Sequence, residues 1–536
     1  MDIQVKKILF LEPNEEFHSY ISNVYLSLKK FCGEIVIFNR RENYFKYGKE
    51  GMNKMLLETV EREKPDYIFT WLTWDELAFD VLLKIKKISP NTKTVAIFGD
   101  DVHQFEDFSR YYSLFFDYSF TTVKSFMKKY EDDGIRPIFH TSLNSTENFY
   151  PIKGEKIYDV SYVGSPKDTQ SRYDNIKYLM DNGIKIKLFG PGWDKYPEFN
   201  EIYMGIPSND EMVKIINQSK INLCFSKNNY NVGQMKSKIF EIGACNSFTL
   251  CEFAEDYLDY FKENEEIIFF DERREMLEKI KYYLNNDMER DRISINAYDR
   301  VINEYTLDSE LKDFFYKTKN EKGYRELPKI NGKCITLGNE FFMKEKEEIL
   351  DIVLDHDYVS FNIGDVEYLP FKEYLQVYSL EKTGKNVSLC NYNLYSNILL
   401  DYATFMLRQA KNNLKKIDFY NFLNINQIVV RKDYFLKNFD NFKNILNGKG
   451  NFSFIEFDNI ANVYIPLVRL KNYKLKEDYD KIKVCFDDRL IYTLYSLYHK
   501  KKFFSLVPFV GIIKSISGES FVFKFLIDKL KGKNII

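Results

Sequence analysis

Several things are scarce in this sequence, and each scarcity excludes a class. The seven cysteines (Cys32, Cys224, Cys245, Cys251, Cys334, Cys390, Cys485) are scattered and odd in number, with no CxxC pair. Cys245 and Cys251 lie close together, but no histidine or third cysteine completes a zinc pattern. A disulfide framework and a zinc module are therefore not expected, and free thiols in a reducing compartment are. No window reaches the roughly 18 uncharged apolar residues of a membrane-crossing helix. The start runs from Met1 through Lys7 into a strand, without the apolar stretch of a signal peptide, so a soluble, cytoplasmic protein is expected. Charge of one sign is missing too: 77 Lys and Arg against 79 Asp and Glu leave a net charge of −2. That gives no field for a polyanion, and nucleic acid is not expected as a partner. No tandem repeat at solenoid periods is found.

What is present is enough for several ordinary cores. The chain has 536 residues, 45% of them apolar and 29% charged. At roughly 150 residues per domain this length implies three or four domains. Aromatic residues reach 17%, and lysine far outnumbers arginine, which reads as the codon bias of an AT-rich genome rather than a binding signal.

Short apolar runs alternate with amphipathic stretches from the start. Strands are expected at Ile8–Leu11, Ile35–Phe38, Tyr67–Thr70, Val95–Phe98 and Tyr118–Thr121, with helices around 21–28, 55–62, 77–86 and 125–130. Fully apolar strands separated by helices imply a parallel sheet covered on both faces. The pattern restarts after Pro151, with strands at Asp159–Val163, Ile186–Phe189, Ile221–Phe225, Phe248–Cys251 and Ile267–Phe270, a helix beginning near Ser237, and helices around 276–284 and 293–305. The expected fold class is α/β: Rossmann-like domains at 1–152 and 153–316 facing one cleft, a polar linker at 317–330, and an α/β or α+β accessory domain at 331–536. That last region mixes strands at Tyr358–Phe361 and Gln427–Val430 with a helix expected over 392–410.

The most specific signal is Ser237-Lys238-Ile239-Phe240-Glu241-Ile242-Gly243-Ala244-Cys245 before the strand around Phe248. It resembles the donor-binding helix of GT-B glycosyltransferases, where a glutamate sits beside the nucleotide ribose. A carboxylate can accept from both hydroxyls of a vicinal diol, and these charge-assisted bonds are strong. Alone, Glu241 reads better as a helix-start acid complementing the helix dipole. Gly243 and Ala244 would let the helix pack closely on the sheet.

The flanking stretches occur in a matching order: Asp159–Ser165, Arg172, Leu188-Phe189-Gly190-Pro191-Gly192-Trp193, Glu265–Phe270, Lys281–Leu284 and Glu289-Arg290. The run from about 159 to 315 resembles the glycosyltransferase domain of the spore maturation protein CgeB-like family. That resemblance implies a GT-B fold, a UDP- or GDP-linked sugar donor and metal-independent transfer. Gly164 and Ser165 would end a strand, open a helix and hold the diphosphate through backbone N–H groups. Arg172 and Lys238 would be phosphate cations, or else solvated helix charges. Gly190 and Trp193 would lie near the base, or form a turn with a packed indole. Retaining GT-B enzymes often carry a further glutamate eight positions before the second; here that position is Gly233, so the stereochemical outcome is not implied.

In the first domain, Gly99-Asp100-Asp101-Val102-His103 follows a strand and would face the cleft. Asp100, Asp101 and His103 are the candidate catalytic groups, a base for the acceptor hydroxyl or a contact to the donor sugar. One aspartate is expected to cap the next helix. Glu12 and His18 are acceptor-side candidates, while His140 reads as structural. The stretch Asp357–Pro370 is weakly similar to the DxD-type loop of GT-A glycosyltransferases. Asp365 and Glu367 are minority candidates for a metal, since two oxygens do not fix a divalent ion.

The expected activity is hexosyl transfer from a nucleotide sugar to a protein or cell-surface glycan. A nucleotide-sugar epimerase and a non-catalytic coat or assembly protein are the alternatives. The basic, aromatic tail at 500–533 could lie on an anionic membrane, but is expected to complete the third domain's core.

Overall fold

The structure is a computed structural model that describes residues 5–12, 19–72, 76–99, 101–135, 138–144, 146–166, 170–227, 233, 235–321, 326–339, 341, 344–363, 366–368, 371–393, 428–446, 454–455 and 460–470. The expectations for His18, Asp100, Asp365 and the tail 500–533 fall outside these residues, as do the side chains of His103 and Glu367.

The first sheet contains β1 (Val5–Phe10), β2 (Cys32–Ile37), β3 (Tyr67–Trp71), β4 (Lys93–Phe98), β5 (Tyr118–Thr121) and β6 (Ile138–His140). Every pairing is parallel, in the order β2-β1-β3-β4-β5-β6. Strand β4 is buried along its length because helices cover both faces, which is why its sequence does not alternate. Those helices are α1 (Ser19–Lys29), α2 (Arg40–Glu63), α3 (Phe79–Ile88), α4 (Asp101–Gln104), α5 (Arg110–Ser113) and α6 (Phe126–Asp132). A π-turn, Phe105–Ser109, joins α4 to α5.

The second sheet has β7 (Tyr158–Val163), β8 (Ile186–Phe189), β9 (Ser219–Cys224), β10 (Thr249–Glu252) and β11 (Ile268–Phe270), again all parallel, in the order β11-β10-β9-β7-β8. Its helices are α7 (Gln170–Asp181), α8 (Asn209–Asn217), α9 (Lys238–Ala244), α10 (Arg273–Leu284) and α11 (Asp287–Glu304). The expected pair of helix-covered parallel sheets is thus present. In both, the strand order reverses beside the first strand, between β1 and β3 and between β7 and β9. At such switch points the flanking connections leave to opposite faces and open a crevice at the carboxyl edge.

One boundary is corrected by packing. Helix α12 (Leu307–Thr318), counted with the second domain in the 153–316 span, crosses back to the first. Its Leu307, Leu311, Phe314 and Phe315 are buried with Val5, Ile8, Phe10 and Phe69. Each of those phenylalanines contributes about 1.5–3 kcal/mol by burial, enough to fix the crossover. The expected linker is also tied down: Lys93 Nζ donates to Thr318 O at 2.5 Å, and Tyr118 OH donates to Glu321 at 2.7 Å.

The third domain holds β12 (Cys334–Leu337), β13 (Tyr358–Phe361), β14 (Val366–Tyr368), β15 (Val387–Asn393), β16 (Ile428–Arg431) and β17 (Ile460–Leu470) in a mixed sheet ordered β12-β13-β16-β15-β17-β14. Its helices are α13 (Lys346–Val353), α14 (Lys372–Thr383), α15 (Lys432–Lys437) and α16 (Phe439–Leu446). The helix expected from Tyr392 is corrected at its start, since Tyr392 and Asn393 end β15. Helix α14 places Leu375 and Tyr378 in the first domain's core, so these two domains share one apolar cluster. Among the described residues, no helix is long and apolar enough to cross a membrane. The described cysteines are free thiols.

Candidate functional site

The carboxyl edges of the two parallel sheets meet. Lys124 and Ser125, after β5, contact the turn after β10: Lys124 N donates to Tyr260 OH at 2.8 Å, and Ser125 Oγ to Asp256 at 3.2 Å. His140, at the end of β6, shares a 3.0 Å hydrogen bond with Tyr260 OH. Loops from both carboxyl edges therefore meet across one boundary, where the sequence places the cleft.

Arg172 stands at the switch point of the second sheet. It projects from α7, and its guanidinium donates to Ser165 O at 3.3 Å, beyond β7, and to Lys227 O at 2.9 Å, beyond β9. It makes no ion pair among the described residues, where its charge meets the two carbonyls and the Tyr162 hydroxyl. Its Nε is buried without a hydrogen-bond partner. Close by, Glu252 at the end of β10 accepts from Ser226 N and Lys227 N, both at 3.1 Å, and pairs with Lys227 Nζ at 2.9 Å. Sequence reasoning missed Lys227 and Glu252. Both follow or end expected strands, so the carboxyl-edge rule applied to each strand would have flagged them.

Helix α9 supplies the second cation. Lys238 and Glu241 are one turn apart and form a 2.6 Å ion pair; the carboxylate is buried while the lysine is partly exposed. The expected ribose carboxylate thus lies against its own helix, held by Lys238. Contact with the Cys251 thiol draws the buried Cys224 thiol below its usual value against the opposing effect of burial, with the charges of Lys238 and Lys236 adding to the shift. Gly243 permits close packing, but on α11 rather than on the sheet: a Cβ there would meet Val301 Cγ2 at 2.8 Å.

Other expected donor contacts turn out to brace this edge. Gly164 N already donates to Phe189 O at 2.8 Å, and α7 begins at Gln170, so neither a free N–H at 164 nor a helix start at Ser165 awaits a phosphate. Trp193 is fully buried, its Nε1 donating to Gly164 O at 2.7 Å, among Tyr162, Tyr196 and Phe199. It is the packed indole, not a platform for a base. Gly190 has φ 118°, and a Cβ there would lie 2.6 Å from Gly164 O. Gly233 backs onto Ala254, where a Cβ would meet another Cβ at 3.0 Å.

In the first domain, Asp101 begins α4 fully engaged, accepting from Thr121 Oγ1 at 2.6 Å and from Tyr130 OH at 3.0 Å. Its bonds run to β5 and α6, a structural role other than the helix cap expected of one aspartate in that loop. Glu12 occupies the first switch point but is fully buried. It accepts from Trp71 N at 2.6 Å, Thr70 Oγ1 at 3.0 Å and Arg40 at 3.2 Å, and Arg40 also pairs with Glu76. This network joins β1, β3 and α2 and leaves Glu12 itself no open carboxylate edge. His140 is partly buried and held down to about pKa 3, by desolvation first and then by Lys124. Glu310 beside it is pushed up to about 8 by burial.

Residues 173–315 match the model of a family described as glycosyl transferase-like. A comparison with curated proteins finds no match. Among solved structures, HepE of Anabaena, in complex with UDP and glucose, is 11% identical and covers 58% of this chain and 100% of its own, with a TM-score of 0.43. Sucrose-phosphate synthase from Thermosynechococcus elongatus is 9% identical, covering 59% and 98%, with a TM-score of 0.43. A putative UDP-N-acetylglucosamine 2-epimerase from Listeria monocytogenes is 9% identical, covering 60% and 100%, with a TM-score of 0.40.

Proposed function

We propose that this protein is a glycosyltransferase that moves a hexosyl group from a UDP- or GDP-linked donor onto a protein or glycan acceptor, and that the resemblance over 159–315 reflects kinship with the CgeB-like proteins. The observation that carries the reading is Arg172, a cation that donates to two carbonyls at the switch point and makes no ion pair among the described residues, within one residue of a stretch matching a glycosyl transferase-like family. Glycosyl transfer breaks the bond from the sugar's anomeric carbon to the donor and leaves a nucleoside diphosphate with new negative charge on the β-phosphate oxygen that had held the sugar. Fixed cations at that position stabilise the leaving group more than the bound donor, which is what lowers the barrier.

In this reading Arg172 takes the diphosphate, with Lys238 as second cation and no metal needed. Glu241 exchanges Lys238 for the ribose diol when the donor enters, freeing the ammonium for phosphate. Asp100, next in sequence to Gly99, is the base for the acceptor hydroxyl, with His103 as the second candidate. Asn at position 100 would lower turnover by about 10²–10⁴-fold while leaving donor affinity unchanged.

The test is incubation of the full chain with UDP-glucose, UDP-N-acetylglucosamine and GDP-mannose. Release of UDP or GDP supports the reading. Isomerised donor with no nucleotide release would make the protein an epimerase, and absence of binding would leave a scaffold.

A further inference from the structure

We propose that Arg110 is a positioning residue through which the third domain sets the segment Asp101–Ser109 at the edge of the cleft; the catalytic consequence rests on the glycosyltransferase reading. That segment follows the carboxyl end of β4 and contains the π-turn, whose wide ring is closed by Arg110 N donating to Phe105 O, five residues back. π-Turns are rare, and the extra residue in the turn has to be held by something outside it.

Arg110 is the clamp. It is nearly fully buried, its guanidinium lies 4.8 Å from the Phe105 ring centroid, and it pairs with Glu106 at 3.0 Å and Asp133 at 2.5 Å. Phe105 in turn meets Tyr130 edge-on at 4.7 Å, and Tyr130 OH bonds Asp101. Arg110 therefore ties both halves of the π-turn to the end of α6.

The third domain grips that same place. Tyr378 OH, on α14, donates to Asp133 O at 3.1 Å, so the residue that pairs with Arg110 is held from the other side. Lys382 Nζ donates to Asp132 O at 3.2 Å, and Tyr111 OH donates to Ser379 Oγ at 2.7 Å. Strand β17 runs against the π-turn itself. The third domain thus touches the cleft loop's support at Tyr111, Asp132 and Asp133, with Arg110 as the charged link between them and the loop. A domain attached only as a tether would not share its core with the support of this one loop.

The experiment uses the full chain and two independent readouts. Amide hydrogen exchange is compared across 99–113 in wild type, Arg110→Met, Arg110→Lys and the double variant Tyr378→Phe/Ser379→Ala. Turnover and donor affinity are measured on whichever nucleotide sugar of the panel the wild type consumes. Arg110→Met should speed exchange over Asp101–Ser109 by about tenfold or more. It should also lower kcat by about 10²-fold with donor affinity unchanged. Arg110→Lys should recover part of both effects, and the double variant should move both in the same direction by less. Unchanged exchange over Asp101–Ser109 in Arg110→Met and in the double variant overturns the proposal, as does faster exchange with unaltered kcat. Should Arg110→Met not fold, Arg110→Lys and the double variant decide it. If the wild type consumes no nucleotide sugar, the functional reading falls, and exchange alone decides whether the third domain holds the loop.

Discussion

On the donor side Arg172 matters most, because no carboxylate among the described residues pairs with its charge, which meets two backbone oxygens and the Tyr162 hydroxyl. Replacing it with methionine keeps the stem and removes the charge. Losing hydrogen bonds from a charged donor to a diphosphate should weaken nucleotide binding by about 1.5–3 kcal/mol. Titration calorimetry with UDP and GDP checks this; equal affinity in both proteins would remove Arg172 from the site. That Arg172 stands on the helix following β7 was readable from the sequence, since a buried strand followed by a helix was expected there. Trp193 was not: an indole in a Gly-Pro-Gly turn looks the same in sequence whether it stacks on a base or fills a core. Its 2.7 Å bond to Gly164 O decides for the core. Trp193→Phe should accordingly lower stability by about 1 kcal/mol, seen in urea unfolding, and leave nucleotide affinity as it was.

At the level of elements, the strands with unbroken apolar runs were legible to within three residues at their ends, since burial on both faces demands such runs. Strand β6 was missed because three residues carry no periodicity. Helix α8 was missed despite a readable start signal, the reciprocal capping box of Ser208 and Glu211. The crossing of α12 was not legible, because an amphipathic helix does not announce which domain's core receives its apolar face. The turn after β8 shows what a single backbone conformation holds in place. Gly190 has a positive φ and lies against Gly164, so Gly190→Ala should destabilise the β7–β8 edge by about 1–3 kcal/mol. A lowered melting temperature with weakened nucleotide binding is expected. An unchanged melt would mean that this edge tolerates a Cβ.

At the scale of the molecule, the seam between the first two domains is set by His140, Tyr260 and Glu310, and its protonation has a definite sign. Glu310, raised to about 8 in the fold from an ordinary 4.5, binds more protons folded than unfolded in that interval, so its contribution is lost as pH rises from about 4.5 to 8. His140, lowered to about 3 from 6.5, binds fewer protons folded, so its contribution is lost as pH falls from about 6.5 to 3. The two effects oppose each other between about 4.5 and 6.5, leaving a decline above that window from Glu310 alone. Glu310→Gln should flatten this alkaline decline in thermal melts between pH 6.5 and 8. An equally steep decline in the variant would place its cause elsewhere. None of this was legible beforehand, because the three residues come from distant segments that meet only at the seam.

The central claim is that the second domain's carboxyl edge binds a nucleotide sugar through Arg172 and releases its nucleoside diphosphate. The most direct measurement is UDP and GDP release from the donor panel by the wild type and by Arg172→Met, each of them first shown to be folded by its melt. The account predicts release by the wild type with at least one donor, and a loss of about tenfold or more in the variant. Release that is equal in the two proteins, or no donor bound by the folded wild type, would contradict it.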